Sequence, residues 1–263
     1  MKLFSLIIPA YKCERTIVRD VTAVMRELNE VHLPYEIIVV VDGYLDKTKE
    51  AAEKIKDKRI KVIGYPTNHG KGYAVRYGFS KAGGDVIGFM DSGGDLKPSS
   101  LPLMLTMFEF SNADAVIGSK RHPDSKVDYP IWRKIQSFGY QKIVWLLFGL
   151  NVRDTQVGMK IYSRKLLETV LPRLLVKKFA FDIEILAVAK YLGYGKIYEA
   201  PVELDFSGVI STITVNQLFS IVRNTLQDTL AVFYRLKILH YYDNGNQRKW
   251  RYDPELNFRV NTG

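Results

Sequence analysis

Residues 86–96 read V-I-G-F-M-D-S-G-G-D-L, a short apolar run that stops at Asp91 and passes through two glycines to Asp95. The run has the length and composition of a strand buried on both faces, and the glycines let the backbone turn closely where it ends. Similar runs flank it in the chain: Leu3–Ile8, Glu36–Val41, Ile60–Tyr65 and Ala115–Gly118. Amphipathic stretches such as Thr16–Val31 and Thr48–Lys56 separate them. This alternation predicts an α/β fold, with a mainly parallel sheet and helices on both faces. Ligands of such sheets bind in the crevice beyond the carboxyl ends of the strands. The polar residues expected there are Pro9, Tyr11 and Glu14 after the first run, Asp42 after the second, Asn68 to Gly72 after the third, and Asp91 with Asp95 after the fourth.

With 263 residues, 47% apolar and 25% charged, the chain has room for one substantial domain and a C-terminal extension. Its single cysteine, Cys13, excludes an intrachain disulfide or a thiolate zinc cluster and suits a reducing, cytoplasmic compartment. The opening M-K-L-F-S-L-I-I-P-A is too short an apolar stretch for a signal peptide and reads as the first strand. Ile143–Leu150 is the longest apolar block, well below the ~20 residues that cross a bilayer. A net charge of +10 favours anionic partners. The cations are scattered and no nucleic-acid-binding motif accompanies them, which leaves nucleotide sugars, lipid phosphates and acidic membrane surfaces.

Asp91 and Asp95 suit Mg2+ or Mn2+ held together with diphosphate oxygens; read in isolation, they fit a solvated glycine-rich turn equally well. The third loop, N-H-G-K-G-Y-A-V-R-Y-G, opens a helix with Lys71 at its start. Free N–H groups and the ammonium would act together on a phosphate there. The spacing is not that of a Walker A loop.

The blocks I-I-P-A-Y, V-D-G-Y-L-D-K-T, N-H-G-K-G-Y-A-V-R-Y-G, F-M-D-S-G-G-D-L, R-D-T-Q-V-G-M-K-I-Y-S-R, F-A-F-D-I-E-I-L and E-A-P-V-E-L follow one another across about residues 3–204. In that order and spacing the chain resembles glycosyltransferase family 2, and its R-D-T-Q-V-G-M-K and F-D-I-E blocks look most like the polyprenyl- and dolichyl-phosphate hexosyltransferases within it. The resemblance implies a GT-A, Rossmann-like catalytic domain over residues 1–206. Residues 207–263 then form a C-terminal amphipathic helix and polar tail that would associate with a membrane.

The activity it implies is inverting transfer of a hexose from UDP-glucose or GDP-mannose to polyprenyl or dolichyl phosphate, with Mg2+ or Mn2+. The protein would sit peripherally on the cytoplasmic face of a membrane. Carried over by position, Pro9, Tyr11, Glu14 and Asp42 would hold the nucleoside side of the donor, Lys71 its diphosphate, and Asp91 with Asp95 the metal. Lys120, Arg121 and Arg133 would receive the acceptor phosphate. Asp154 and Gln156 would line the sugar or reaction centre, with Asp182 and Glu184 in support. On a helix, however, Asp182 and Glu184 point to opposite sides, so only one of them is expected to face the centre.

Three positions depart from the family pattern. Lys12 and Cys13 follow Tyr11, leaving Glu14 as the nearest acid; the second loop keeps one aspartate, in Val41-Asp42; and the usual Asp-x-Asp is Asp91-Ser-Gly-Gly-Asp95. In the C-terminal extension, Leu218, Phe219, Val222, Leu226, Leu230 and Phe233 recur at helical spacing with Arg223, Arg235 and Lys237 among them. That pattern suits an anionic membrane surface, or packing on the catalytic domain or a partner. Two other functions fit parts of the sequence: transfer to a sugar hydroxyl, which would need Asp154 or Asp182 as a base, and a non-catalytic nucleotide-sugar binder with a degenerate site.

Overall fold

The computed structural model describes residues 1–127, 131–177, 180–205, 215–246 and 250–261; the side chains of 131–137, 215–222 and 261 lie outside the described set. Eleven strands are defined among these residues: β1 Phe4–Ala10, β2 Tyr35–Asp42, β3 Ile60–Tyr65, β4 Val86–Met90, β5 Ala115–Ser119, β6 Lys126–Val127, β7 Met159–Ser163, β8 Ile197–Pro201, β9 Glu203–Leu204, β10 Trp250–Asp253 and β11 Phe258–Asn261. The α-helices are α1 Ile17–Glu30, α2 Thr48–Ala52, α3 Lys71–Lys81, α4 Leu101–Phe110, α5 Ile131–Phe148, α6 Arg164–Val170, α7 Phe181–Tyr191 and α8 Val215–Lys237.

Seven strands form one sheet in the order β3-β2-β1-β4-β7-β5-β8. Its pairs are parallel except that β7 runs antiparallel to both β4 and β5. The sheet is therefore mixed, though mainly parallel as expected.

Alternation along the strands splits the core in two. Leu6, Ile8, Ile37, Val39 and Val41 face α1, α2 and α4. Ile7, Ile38 and Val40 face the other side, with apolar residues of α3, α5, α6, α7 and α8. Every residue of β2 is buried, as a central strand covered on both faces requires.

The second core also contains Val232 and Leu236 of α8, then Tyr241, Tyr242 and Leu256. Residues beyond the expected boundary at 206 thus complete the same core as α3 and α7. In the described half of α8, Thr229, Val232 and Leu236 form the buried side and Phe233 packs against the same core, whereas Leu226 is half-buried and Leu230 is exposed, so the side that packs on the catalytic domain is offset from the stripe read in the sequence. Of the stripe residues read from the sequence, Leu218, Phe219 and Val222 have side chains outside the described residues.

Candidate active site

The crevice opens where β1, β2 and β4 end, and Pro9, Tyr11, Cys13, Asp42, Asn68, Lys71, Asp91 and Ser92 are among the residues lining its volume of about 500 Å³. Asp42 is buried at the end of β2. Its Oδ1 accepts the His69 N–H at 2.8 Å, while Oδ2 accepts the Gly70 N–H at 3.0 Å and the Asn68 amide at 2.8 Å. Asp42 therefore shapes the loop that starts α3, and Gly70 permits that turn with φ of 92°.

The N-terminus of α3 differs from expectation. The N–H of Gly72 is taken by the Lys177 carbonyl and those of Tyr73 and Ala74 by the Gly70 carbonyl, so they are not free for a phosphate. What α3 presents to the crevice is the Lys71 ammonium. Its Nζ lies 2.9 Å from Asp91 Oδ1, 3.0 Å from Asp91 Oδ2 and 3.1 Å from Asp182 Oδ2, above the ring of Phe89.

Asp182 in turn takes Lys160 Nζ on Oδ1 at 2.6 Å. Lys160 comes from β7, is fully buried, and also donates to the Val157 carbonyl. Two lysines and two aspartates thus form one chain of ion pairs beneath the crevice. Burial opposes charge on Lys71, but Asp182 and Asp91 outweigh it and hold its pKa above the ordinary lysine range. At Lys160 burial dominates over the attraction of Asp182 and pushes the pKa down. Burial also raises the Asp91 carboxyl, with Lys71 acting in the opposite sense.

The 154–158 segment meets the crevice at Asp91, through Gly158. Asp154 accepts the N–H of Lys120 at 3.2 Å and of Gln156 at 2.9 Å, and the Lys120 ammonium stands 3.8 Å away. The Gln156 side-chain nitrogen is buried without a hydrogen-bond partner, the kind of unspent donor that a bound hydroxyl would satisfy. Gly158 accepts the Asp91 N–H at 2.7 Å.

Other expected residues lie elsewhere. Asp95 is not among the residues lining the crevice, and its carbonyl accepts the Asp205 N–H. Glu14 is exposed and accepts the Lys47 N–H. Glu184 faces away from Asp182, fully buried, and accepts the N–H groups of Leu175 and Val176 and the Tyr242 hydroxyl, with Arg235 at 3.8 Å. It ties α7 to the C-terminal tail, and burial raises its pKa against those donors. Arg121 stacks on Phe138, and the Arg133 side chain lies outside the described residues.

Among the described residues no cluster of three or more histidine, cysteine or acidic side chains could hold a metal. Asp91 Oδ1 has no aligned hydrogen bond and meets only the Lys71 ammonium, at 2.9 Å, so Asp91 is the carboxylate that would hold a Mg2+ or Mn2+ shared with diphosphate oxygens and water, in exchange for part of that ion pair.

Sequence reasoning placed Asn68 in the crevice but missed Lys160, Gly158 and Ser92. Lys160 leaves a signal, a lysine inside the apolar run M-K-I-Y; Gly158 leaves none beyond its glycine.

A mixed α/β sheet with this polar crevice at its strand ends is the GT-A fold. It matches the crystal structure of glucosyl-3-phosphoglycerate synthase from Mycobacterium tuberculosis, a complex with Mn2+, UDP-glucose and phosphoglyceric acid, with a TM-score of 0.67 over 88% of this chain and 80% of that one, at 18% identity. Residues 5–171 match glycosyl transferase family 2, and the chain belongs to that family as a glycosyltransferase of the hexosyltransferase kind. It is 29% identical to a dolichyl-phosphate beta-glucosyltransferase of Trichomonas vaginalis over 80% of this chain and 70% of that protein. To the Drosophila melanogaster dolichyl-phosphate beta-glucosyltransferase it is 31% identical over 72% of this chain and 63% of that protein. The chain thus spans about two thirds of the length of these relatives.

Proposed function

We propose that this chain transfers a hexose, with inversion at the anomeric carbon, from a nucleotide diphosphate sugar to the phosphate of a polyprenyl or dolichyl lipid, at the cytoplasmic face of a membrane. One observation carries the choice of acceptor. The carboxylates that could serve as a base are held in ion pairs or hydrogen bonds within the protein: Asp91 by Lys71, Asp182 by Lys71 and Lys160, Asp154 by the N–H groups of Lys120 and Gln156, and Asp42 by His69, Gly70 and Asn68. A sugar hydroxyl needs a base turned toward it to take its proton, and these carboxylates are turned toward partners within the protein. A phosphate, with a second pKa of about 6, is already largely ionised near neutral pH and needs none.

On this reading the acceptor oxygen attacks the anomeric carbon from the side opposite the departing diphosphate. Lys71 stabilises the charge that develops on the diphosphate, Gln156 donates to a sugar hydroxyl, and Lys120 with Arg121 orients the acceptor phosphate. A divalent ion at Asp91 would offset part of the same leaving charge. The names of the relatives support glucose, and hence UDP-glucose, over GDP-mannose as the first donor to test.

The test combines the purified chain, Mg2+ or Mn2+, radiolabelled UDP-glucose or GDP-mannose, and polyprenyl phosphate in detergent. A solvent-extractable glycolipid is expected, and its absence with every donor would overturn the reading. Transfer to a sugar hydroxyl, with an alkaline gain in rate lost in Asp154→Asn or Asp182→Asn, would establish the other acceptor class.

A further inference from the structure

From Phe138 onward, α5 turns Gln141, Val144 and Phe148 into the core. Its other side carries Phe138, Ile143, Trp145 and Leu146, which are 53%, 38%, 58% and 76% exposed. Residues 138, 142, 145 and 146 are spaced as neighbours on one helical face. Scattered exposed apolar residues need no explanation, but a large apolar group gathered on one helix face marks an interaction surface.

Cations border it. Lys142 Nζ lies 4.7 Å and the Arg121 guanidinium 5.5 Å from the centre of the Phe138 ring. Arg153 and His122 share an open cleft of about 480 Å³ with Trp145. The acid in that cleft, Glu199, accepts the N–H groups of Arg153 and Asp154 on Oε1; Asp124, beside His122, is largely solvated.

We propose that this face of α5 is the surface on which the chain docks to an anionic lipid bilayer. Aromatic rings and a leucine inserted at the boundary of the acyl chains, with lysine and arginine heads at the level of acidic phosphates, match the layered chemistry of a membrane interface. A second copy suits the face poorly, because two-fold pairing would set Lys142 and Arg121 of one chain against the same cations of the other. The face is also continuous with the site. Arg121 stacks on Phe138 and follows Lys120, which meets Asp154, so docking brings lipid phosphates to the edge of the crevice. That last point rests on the lipid-phosphate reading above; the docking itself does not. In α8, by contrast, the described inward side belongs to the core, and among the described residues of that helix the exposed large apolar ones are Leu230 and Tyr234.

The full chain is tested by co-sedimentation with vesicles containing ~30% phosphatidylserine, an acidic leaflet composition. We expect the double variant Trp145→Glu/Leu146→Glu to lose vesicle partitioning at least ~10-fold, with its melting temperature and nucleotide binding unchanged. Lys142→Glu should weaken binding to acidic vesicles without affecting the residual binding to neutral ones. Leu230→Glu/Tyr234→Glu should bind as the parent does. Parent-like binding by the Trp145/Leu146 double variant, or loss in the α8 variant instead, overturns the proposal. A concentration-dependent dimer that the α5 double variant abolishes, without vesicle binding by the parent, also overturns it in favour of a second copy. Vesicle binding without glycolipid synthesis leaves docking standing and removes the acceptor reading, whereas synthesis in detergent without vesicle binding does the reverse.

Discussion

A Cβ built on Gly158 would stand 1.9 Å from Oδ2 of Asp91 and 2.2 Å from its Cγ, while the Gly158 carbonyl accepts the Asp91 N–H at 2.7 Å. The glycine is the floor on which the crevice carboxylate rests. Any side chain there displaces the group that meets Lys71.

Gly158→Ala should therefore lower transfer by about 100-fold or more, the scale of loss from roughly 1 Å of misplacement at a reacting centre. Its stability cost should be about 1–3 kcal/mol, as for other overpacked sites. Adding Asp91→Gly should restore the melting temperature but not the activity. Parent-like kinetics in the single variant would show that Asp91 has room the geometry does not reveal.

Asp91 and Asp95 should separate on mutation. Asp91→Ala is expected to lower transfer ~100-fold or more, as loss of an electrostatic contact at the reaction centre does. Asp95→Ala should change it by no more than about twofold, as for substitutions outside a site. Calorimetric titration of Mn2+ in the presence of nucleotide should show the same split. An equal loss in both variants would restore Asp95 as a second metal ligand.

The acid side of stability has a local source at Asp57. Side-chain and backbone donors of Arg59, at 2.7 Å, 3.0 Å and 2.8 Å, hold its pKa at about 2, below the ordinary 3.8. A depressed carboxyl contributes stability above its unfolded pKa and loses it as pH falls through the folded one. Asp57→Asn should thus melt below the parent at pH 7, and the gap should close between about pH 4 and pH 2. Melting curves across that range check it; a constant gap would assign the difference to something other than this ionisation.

Leu236→Ala, at a buried position of α8, should cost about 2–5 kcal/mol in urea unfolding, the range for large-to-small changes in a core. A cost near zero would return α8 to the role of a detachable extension. Truncation from Val215 onward should for the same reason destabilise the whole domain, since it strips Val232, Leu236, Tyr241 and Tyr242 from the second core.

The first five strands were legible because each is a short apolar run between amphipathic stretches, a pattern that burial on two faces imposes locally. β7 was not, because Lys160 interrupts M-K-I-Y-S, and a buried lysine is tolerated only with a carboxylate beside it. Asp182 lies 22 residues further along the chain. Local pattern cannot report that partner.

The same limit divides the crevice residues. Strand ends alone placed Pro9, Tyr11, Asp42 and Asp91 at one edge of a sheet, since in a parallel sheet the end of each strand is read directly from where its apolar run stops. That Lys71 pairs with Asp91 and also with Asp182, 111 residues further along than Lys71, that Glu184 turns to the tail, and that Asp95 falls outside the crevice lining were decided by the packing of α3, α7 and β7. Periodicity is a property of neighbours in the chain, whereas ion pairing in a buried site selects partners by distance in the folded state. The strand pattern therefore belonged to the sequence, and the charge network to the tertiary structure.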